Sequence, residues 1–202
     1  THGGGGVNMF CRQHDFKLRI VDVGVDYDLS KVDGIIDRKI ARGTKNFLYE
    51  PAMSKTEYEQ ALSVGIDLVD DCKEKGCRIL SIGEMGIANT SPSSIWMHLF
   101  TGIPLKDCIG AGAGLDTIGI RHKYEILLRA VENYKLCTTN YPPIPYFGGF
   151  EMVTAIGAML RAAELHLTIL IDGFIMTACA MAACHLYPHA KDYMIFTHCG
   201  DE

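Results

Sequence analysis

The residue types best suited to chemistry gather in a glycine-punctuated run, Ser81-Ile82-Gly83-Glu84-Met85-Gly86-Ile87-Ala88-Asn89-Thr90-Ser91-Pro92-Ser93-Ser94. Glycines let backbone N–H groups close on an anion, and a helix starting at the end of the run adds partial positive charge, so a phosphate fits here. An ordinary loop in which Asn89 or Thr90 caps the helix fits the same residues about as well. Glu84 suits the plain loop less. A carboxylate beside a phosphate would repel it, which places Glu84 nearer a ribose hydroxyl or a nitrogen base.

A second glycine cluster, Gly110-Ala111-Gly112-Ala113-Gly114-Leu115-Asp116, leads into a helical pattern carrying Arg121, His122 and Lys123. Its GxGxG resembles part of a dinucleotide fingerprint, the signature of a nicotinamide-dinucleotide oxidoreductase, but no clear strand precedes it as that fingerprint requires. Lys123 falls about two turns into the helix, where a long side chain can swing back to a phosphate; its position alone favours a solvated helix lysine. Gly148-Gly149-Phe150-Glu151 marks another helix start, and capping of the first turn is a sufficient explanation for Glu151. His198 closes an apolar run and suits either acid–base work or a structural role. Met152, Met159, Met176 and Met181 sit among alanines as core fillers.

The elements that must position these groups follow from periodicity. Four short apolar runs, Leu18–Val25, Arg78–Ile82, Leu167–Ile171 and Tyr193–Phe196, predict strands covered on both faces. Helical patterns over Ser54–Lys75, Thr90–Phe100, Thr117–Leu136, Glu151–His166 and Phe174–Leu186 lie between them, the first opened by a Ser-Lys-Thr-Glu capping box. Strand and helix in alternation mean an α/β fold. In such a sheet ligands gather at the carboxyl ends of the strands, which here carry Asp22, Asp26 and Asp28, then Gly83 to Gly86, then Asp172 and Gly173, then Thr197 and His198.

Composition bounds the answer. The 202 residues, 48% hydrophobic, suffice for one globular domain with a full core and exclude disordered and fibrous classes. Lys+Arg 19 against Asp+Glu 24, a net charge of -5 with the basic residues scattered, argues against a nucleic-acid face or a polybasic membrane patch, and a small-molecule partner is expected. The 8 cysteines include no CxxC pair, most sit inside apolar stretches, and they read as buried, reduced thiols of a cytoplasmic protein. Cys184, His185, His189, His198 and Cys199 match no structural-zinc spacing, so no metal and no cofactor is expected. The apolar stretch Leu167–Cys184 has membrane-span length, but Asp172 and Gly173 in its middle predict a buried strand leading into a helix. Thr1 and His2 running into Gly3 to Gly6, and a chain ending at Glu202 just after a strand, predict a piece of a longer protein.

Taken in order, the motifs resemble the nicotinate-nucleotide–dimethylbenzimidazole phosphoribosyltransferase family. The matching stretches are GGGGVN at 3–8, RIVDVGV at 19–25, GTKNF at 43–47, GEMGIANT at 83–90, GAGAGLD at 110–116, GGFEMVTAIGAML at 148–160, LIDGFI at 170–175 and THCGDE at 197–202, spread over essentially the whole chain. The resemblance implies a doubly wound, mostly parallel sheet flanked by helices, with residues 1–202 as a single core domain and the family's small helical domain largely missing. It implies a homodimer. It also implies transfer of phosphoribosyl from nicotinate mononucleotide to 5,6-dimethylbenzimidazole or a related base, with inversion at the anomeric carbon, giving alpha-ribazole 5'-phosphate and nicotinate for cobamide assembly.

Carried over residue by residue, the resemblance makes Glu84 the active-site glutamate, Gly86 backbone near the phosphate, Lys123 the active-site lysine and Met85 the apolar contact to the incoming base. Asn89, Thr90, Asp172 and His198 complete the substrate-binding set. The family's general base is a glutamate expected beyond Glu202, which keeps open an alternative: a homologue that binds nucleotides without turnover. The family has Gly where this chain has Ala88 and Ser where it has Gly200; a methyl at position 88 is expected to require a negative φ.

Overall fold

A computed structural model describes residues 5–112, 114–137 and 140–197. The chain divides into two compact units, one ending at Gly43 and one starting at Thr44. The first holds helix α1 (Gly6–Gln13) and strands β1 (Ile20–Asp22) and β2 (Ile35–Asp37). β1 and β2 pair in parallel, with Ile20 opposite Ile35 and Asp22 opposite Asp37. Asp22 is buried yet fully answered: Oδ1 accepts the N–H groups of Gly24 at 3.1 Å and Val25 at 2.9 Å, while Oδ2 meets the Lys39 ammonium at 2.5 Å. It pins the turn after β1.

The second unit runs α2 (Lys55–Glu74), β3 (Ile79–Ser81), α3 (Thr90–Thr101), α4 (Thr117–Leu136), α5 (Pro143–Phe147), α6 (Phe150–Glu164), β4 (Thr168–Ile171), α7 (Phe174–Leu186) and β5 (Met194–Phe196). β4 is the centre of a parallel sheet ordered β3-β4-β5. Ser81 lies opposite Leu170, and Ile171 opposite Phe196, so the three carboxyl ends finish close together along one side. The fold is therefore the expected class, parallel sheets flanked by helices. Ser54 opens α2 as its sequence predicts, its hydroxyl accepting the Glu57 N–H while the Glu57 carboxylate accepts the Ser54 N–H at 2.7 Å.

Burial departs from expectation at the strands. The apolar runs predict cover on both faces, and β4 conforms, with Ile169 and Ile171 buried. Ile79 in β3 and Ile195 and Phe196 in β5 stay exposed, because those strands are the sheet's edges. The core centres instead on α6, which buries nearly every side chain from Phe150 to Met159, packed between α2 and α7. Met152, Met159 and Met176 fill it as expected, but Met181 is only half-buried, and of the described cysteines only Cys108 and Cys179 are buried, the others lying half-buried or exposed on helix faces and turns.

The α2–α6 crossing is built on glycine. A Cβ on Gly65 would lie 2.1 Å from the Thr154 carbonyl oxygen, and one on Gly157 would lie 2.3 Å from the Leu62 carbonyl oxygen. Backbone touches backbone there. On α3, the fully buried Trp96 donates from Nε1 to the Pro143 carbonyl at 3.1 Å, anchoring α5 against that helix.

Candidate active site

The loop from β3 to α3 carries the main cluster, and its local geometry differs from a simple cap. Asn89 occupies the N-cap position of α3, but its side chain makes no capping hydrogen bond. The buried Asn89 amide turns the other way, donating from Nδ2 to Glu84 Oε2 in a short contact and to Glu151 Oε1 at 3.1 Å. With two carboxylates facing it, only the nitrogen end of the amide can point inward. Two hydroxyls of α3 bond back to carbonyls one turn earlier: Ser93 Oγ donates to the Asn89 carbonyl and Ser94 Oγ to that of Thr90, each at 2.9 Å.

Glu151 belongs to this cluster, which its sequence position at a helix start does not reveal. Its carboxyl sits where side chains at two glycines would go: a Cβ on Gly86 would lie 2.3 Å from Glu151 Oε1, and one on Gly149 would lie 2.5 Å from Oε2. Those two glycines, in line with an acidic residue at the helix start, are the available signal. Burial pushes the Glu151 carboxyl up, the Asn89 amide and its own backbone N–H pull it down, and the neighbouring Glu84 charge adds to the rise, leaving it above its ordinary value. The fully buried Cys179 thiol of α7 is pushed far up by desolvation first and by Glu151 and Glu84 after it.

A raised folded value has a definite sign. Between the ordinary value of 4.5 and the raised one the folded chain holds the extra proton, so stability falls as pH rises through that window. Glu151→Gln is expected to flatten this slope in urea unfolding followed from pH 4 to pH 7; an unchanged slope would place the titration elsewhere.

A cavity of about 300 Å³ opens at the carboxyl ends of β3 and β4, lined by Gly83, Glu84, Thr90, Asp172, Gly173 and the Phe174–Met176 segment of α7. Two carboxylates, Glu84 and Asp172, share its wall with the apolar side chains at the start of α7. Asp172 is held by Thr197, just after β5, whose Oγ1 donates to Asp172 Oδ1 and to the Ile171 carbonyl, each at 3.0 Å. Sequence reasoning points to these strand ends, and the cavity is there.

Lys123 proves not to be a solvated helix lysine. It is partly buried and its Nζ donates to Thr90 Oγ1 at 2.9 Å, one hydrogen bond behind the cavity wall. Desolvation alone shifts its ammonium, downward, and no carboxylate pairs with it among the described residues. Gly112, at a φ of 57°, closes over the pair: a Cβ there would lie 3.2 Å from Thr90 Oγ1. The segment before this glycine cluster is a single 3-10 turn, Leu105–Cys108, so the strand that a dinucleotide fingerprint needs is not there.

The structure thus gathers Glu84, Asn89, Thr90, Lys123 and Asp172 around one cavity, with Gly86 packed on Asn89 and Glu151. Met85 stands apart, 90% exposed on the loop, beside a fully exposed Ile87. His198 lies outside the described residues. Among the described residues no group of His, Cys, Asp and Glu has the geometry of a metal site, and no helix is long and apolar enough to cross a membrane.

Ala88 overturns one expectation. Its φ is 65°, not negative, so the methyl sits in the left-handed region where an L residue is disfavoured by roughly 1–2 kcal/mol. Ala88→Gly is expected to raise stability by about 1 kcal/mol after the larger unfolded-state entropy of glycine is subtracted. Chemical denaturation would read this directly, and a loss of stability would contradict the strained geometry.

With the geometry in place, comparison with known proteins decides the family. A family profile described as "Phosphoribosyltransferase" matches residues 1–202. The chain belongs to this family. It is 54% identical over 202 residues to a protein of Parabacteroides distasonis named nicotinate-nucleotide–dimethylbenzimidazole phosphoribosyltransferase, covering all of this chain and 58% of that relative. A protein of Phocaeicola vulgatus with the same name is 56% identical over 201 residues, again with 58% of its length covered. The crystal structure of CobT from Thermus thermophilus superposes with a TM-score of 0.89 at 30% identity, over 97% of this chain and 59% of that one. The chain therefore spans less than two thirds of the family members it matches.

Proposed function

We propose that this chain carries the phosphoribosyl-donor half of an active site that transfers phosphoribosyl from nicotinate mononucleotide to 5,6-dimethylbenzimidazole or a related base. The observation that carries the reading is the cavity at the strand ends, with Glu84 on its wall and the Lys123–Thr90 pair behind that wall, in a member of the phosphoribosyltransferase family. Lys123, lacking a carboxylate partner among the described residues, suits the phosphate; the start of α7 adds partial positive charge. Glu84 and Asp172 suit ribose hydroxyls and the positive charge developing at the anomeric carbon, while Met85 on the exposed loop suits contact with the flat acceptor.

The chemistry asks for little else. An acceptor ring nitrogen bonds to the anomeric carbon as the bond to the pyridinium nitrogen breaks, and that electron pair neutralises the departing ring. Nicotinate leaves without needing a general acid. The acceptor N–H proton goes to a base, and the product is alpha-ribazole 5'-phosphate. In this reading the protein anchors the phosphate and aligns two rings, the contribution expected of proximity and orientation. A homodimer in the cytoplasm, with residues 1–202 as one core domain, belongs to the same reading.

Calorimetric titration with nicotinate mononucleotide, repeated with nicotinate alone, tests it. Binding that depends on the phosphoribosyl group is the expected result, and equal or absent binding of both would sink the donor-site reading. Nicotinate release in the presence of dimethylbenzimidazole separates turnover from binding alone.

A further inference from the structure

Glu151 has no assigned part in the reaction proposed above, yet three observations tie it to Glu84. The two carboxyls, 67 positions apart in the sequence, share one donor, the Asn89 Nδ2 group, whose two protons are divided between them. The donor is buried, and its side chain makes no capping bond at the start of α3. Both Gly86 and Gly149 leave the space that the Glu151 carboxyl fills, so two separate segments are fitted around it.

From this geometry we infer that Glu151 is a positioning residue: it holds the Asn89 amide in place, and the amide in turn holds Glu84 at the cavity wall. The inference rests on the donor-site reading for what Glu84 does, but not for the bridge itself. An Asn side chain that loses one of two carboxylate partners is free to rotate about its last torsion. Glu84 would then lose its fixed orientation. The bridge also links the loop after β3 to the start of α6, two segments far apart in the chain, so Glu84 is referred to the core helix of the fold and not to its own loop alone.

The bridge is read first without any ligand. In the wild-type chain the two Asn89 side-chain amide protons are expected to give separated, exchange-protected nuclear magnetic resonance signals. Glu151→Ala should collapse that protection by at least about tenfold, and Glu151→Gln, whose amide oxygen still accepts, should restore most of it. Unchanged Asn89 signals in Glu151→Ala would overturn the inference.

Nicotinate mononucleotide titration then asks whether the bridge acts through Glu84. Glu151→Ala is expected to weaken binding about tenfold in the wild-type background and less than about twofold when Glu84→Ala is already present. Equal losses in both backgrounds would show that Glu151 acts on the fold and not through Glu84, and would overturn the proposal. Absence of nicotinate mononucleotide binding by the wild-type chain would instead strike the donor-site reading, and the Asn89 signals alone would then decide the bridge.

Discussion

Lys123→Met is expected to weaken nicotinate mononucleotide binding by roughly ten- to a hundredfold, the scale of one charge-assisted hydrogen bond of about 1.5–3 kcal/mol. The wild-type lysine is held partly buried against the Thr90 hydroxyl, an arrangement that disfavours the ammonium when no anion is bound and lowers its folded value. An arriving phosphate supplies the missing counter-charge. Because a lowered lysine value means that the folded chain holds fewer protons than the unfolded one, stability contributed at this site rises with pH between the folded value and the ordinary 10.5, and below that window the penalty is present in full. Lys123→Met therefore should bind weakly and yet unfold at the same or higher denaturant concentration. Calorimetry and urea unfolding on one preparation check both halves; undiminished affinity would remove Lys123 from the donor site.

Gly157→Ala is expected to destabilise the chain by about 3 kcal/mol, because the helix crossing has no room for the added methyl. Helix propensity alone argues the opposite way, since Ala is favoured over Gly by about 1 kcal/mol inside a helix. Sterics decide. The new Cβ would stand 2.3 Å from the Leu62 carbonyl oxygen and 2.8 Å from its Cα, both backbone atoms that cannot swing aside. The reciprocal approach of Gly65 to the Thr154 carbonyl means that α2 and α6 have to separate along the whole crossing. Thermal unfolding would show a lowered midpoint, whereas a gain of stability would mean that the helices can part at little cost. The first turn of α6 carries Glu151, so the same substitution should weaken the Asn89 bridge at a distance.

Much of the fold is legible in the residues. All five long helices fall within a few residues of their apolar periodicity, and Ser54 and Gly149 begin α2 and α6 where the capping and glycine signals stand. What escapes is short or non-local. β2 consists of two isoleucines and an aspartate between Gly34 and Arg38, too brief for a pattern, and becomes a strand only by pairing with β1. α5 hides in a proline-rich stretch, because Pro143 and Pro145 fall in a first turn, where a missing N–H costs nothing. α1, an amphipathic helix with no buried residue, directly follows the first glycine run, which masks its periodicity.

At the site, the strand-end rule locates Glu84 and Asp172, and the resemblance singles out Thr90 and Lys123. Neither shows that Asn89 faces two carboxylates. Side-chain partners 62 positions apart leave no trace in local spacing, and Glu151 has a complete local explanation as a helix-start acid. Ala88 escapes for a similar reason. The residue type argues for a negative φ, and the turn that brings Asn89 inward imposes the opposite.

The pairing of β3 with β4 sets Ile79 against Thr168, so the two halves of the cavity wall are joined only after a loop of nearly 90 residues has closed. Closing such a loop is entropically expensive and slow, and it requires α3 through α6 to be folded or at least collapsed in between. The cavity is consequently a long-range feature that exists only in the completed unit. A ligand that grips the ends of both strands would recognise only the completed unit, and its main kinetic signature would be slower unfolding with an unchanged folding rate.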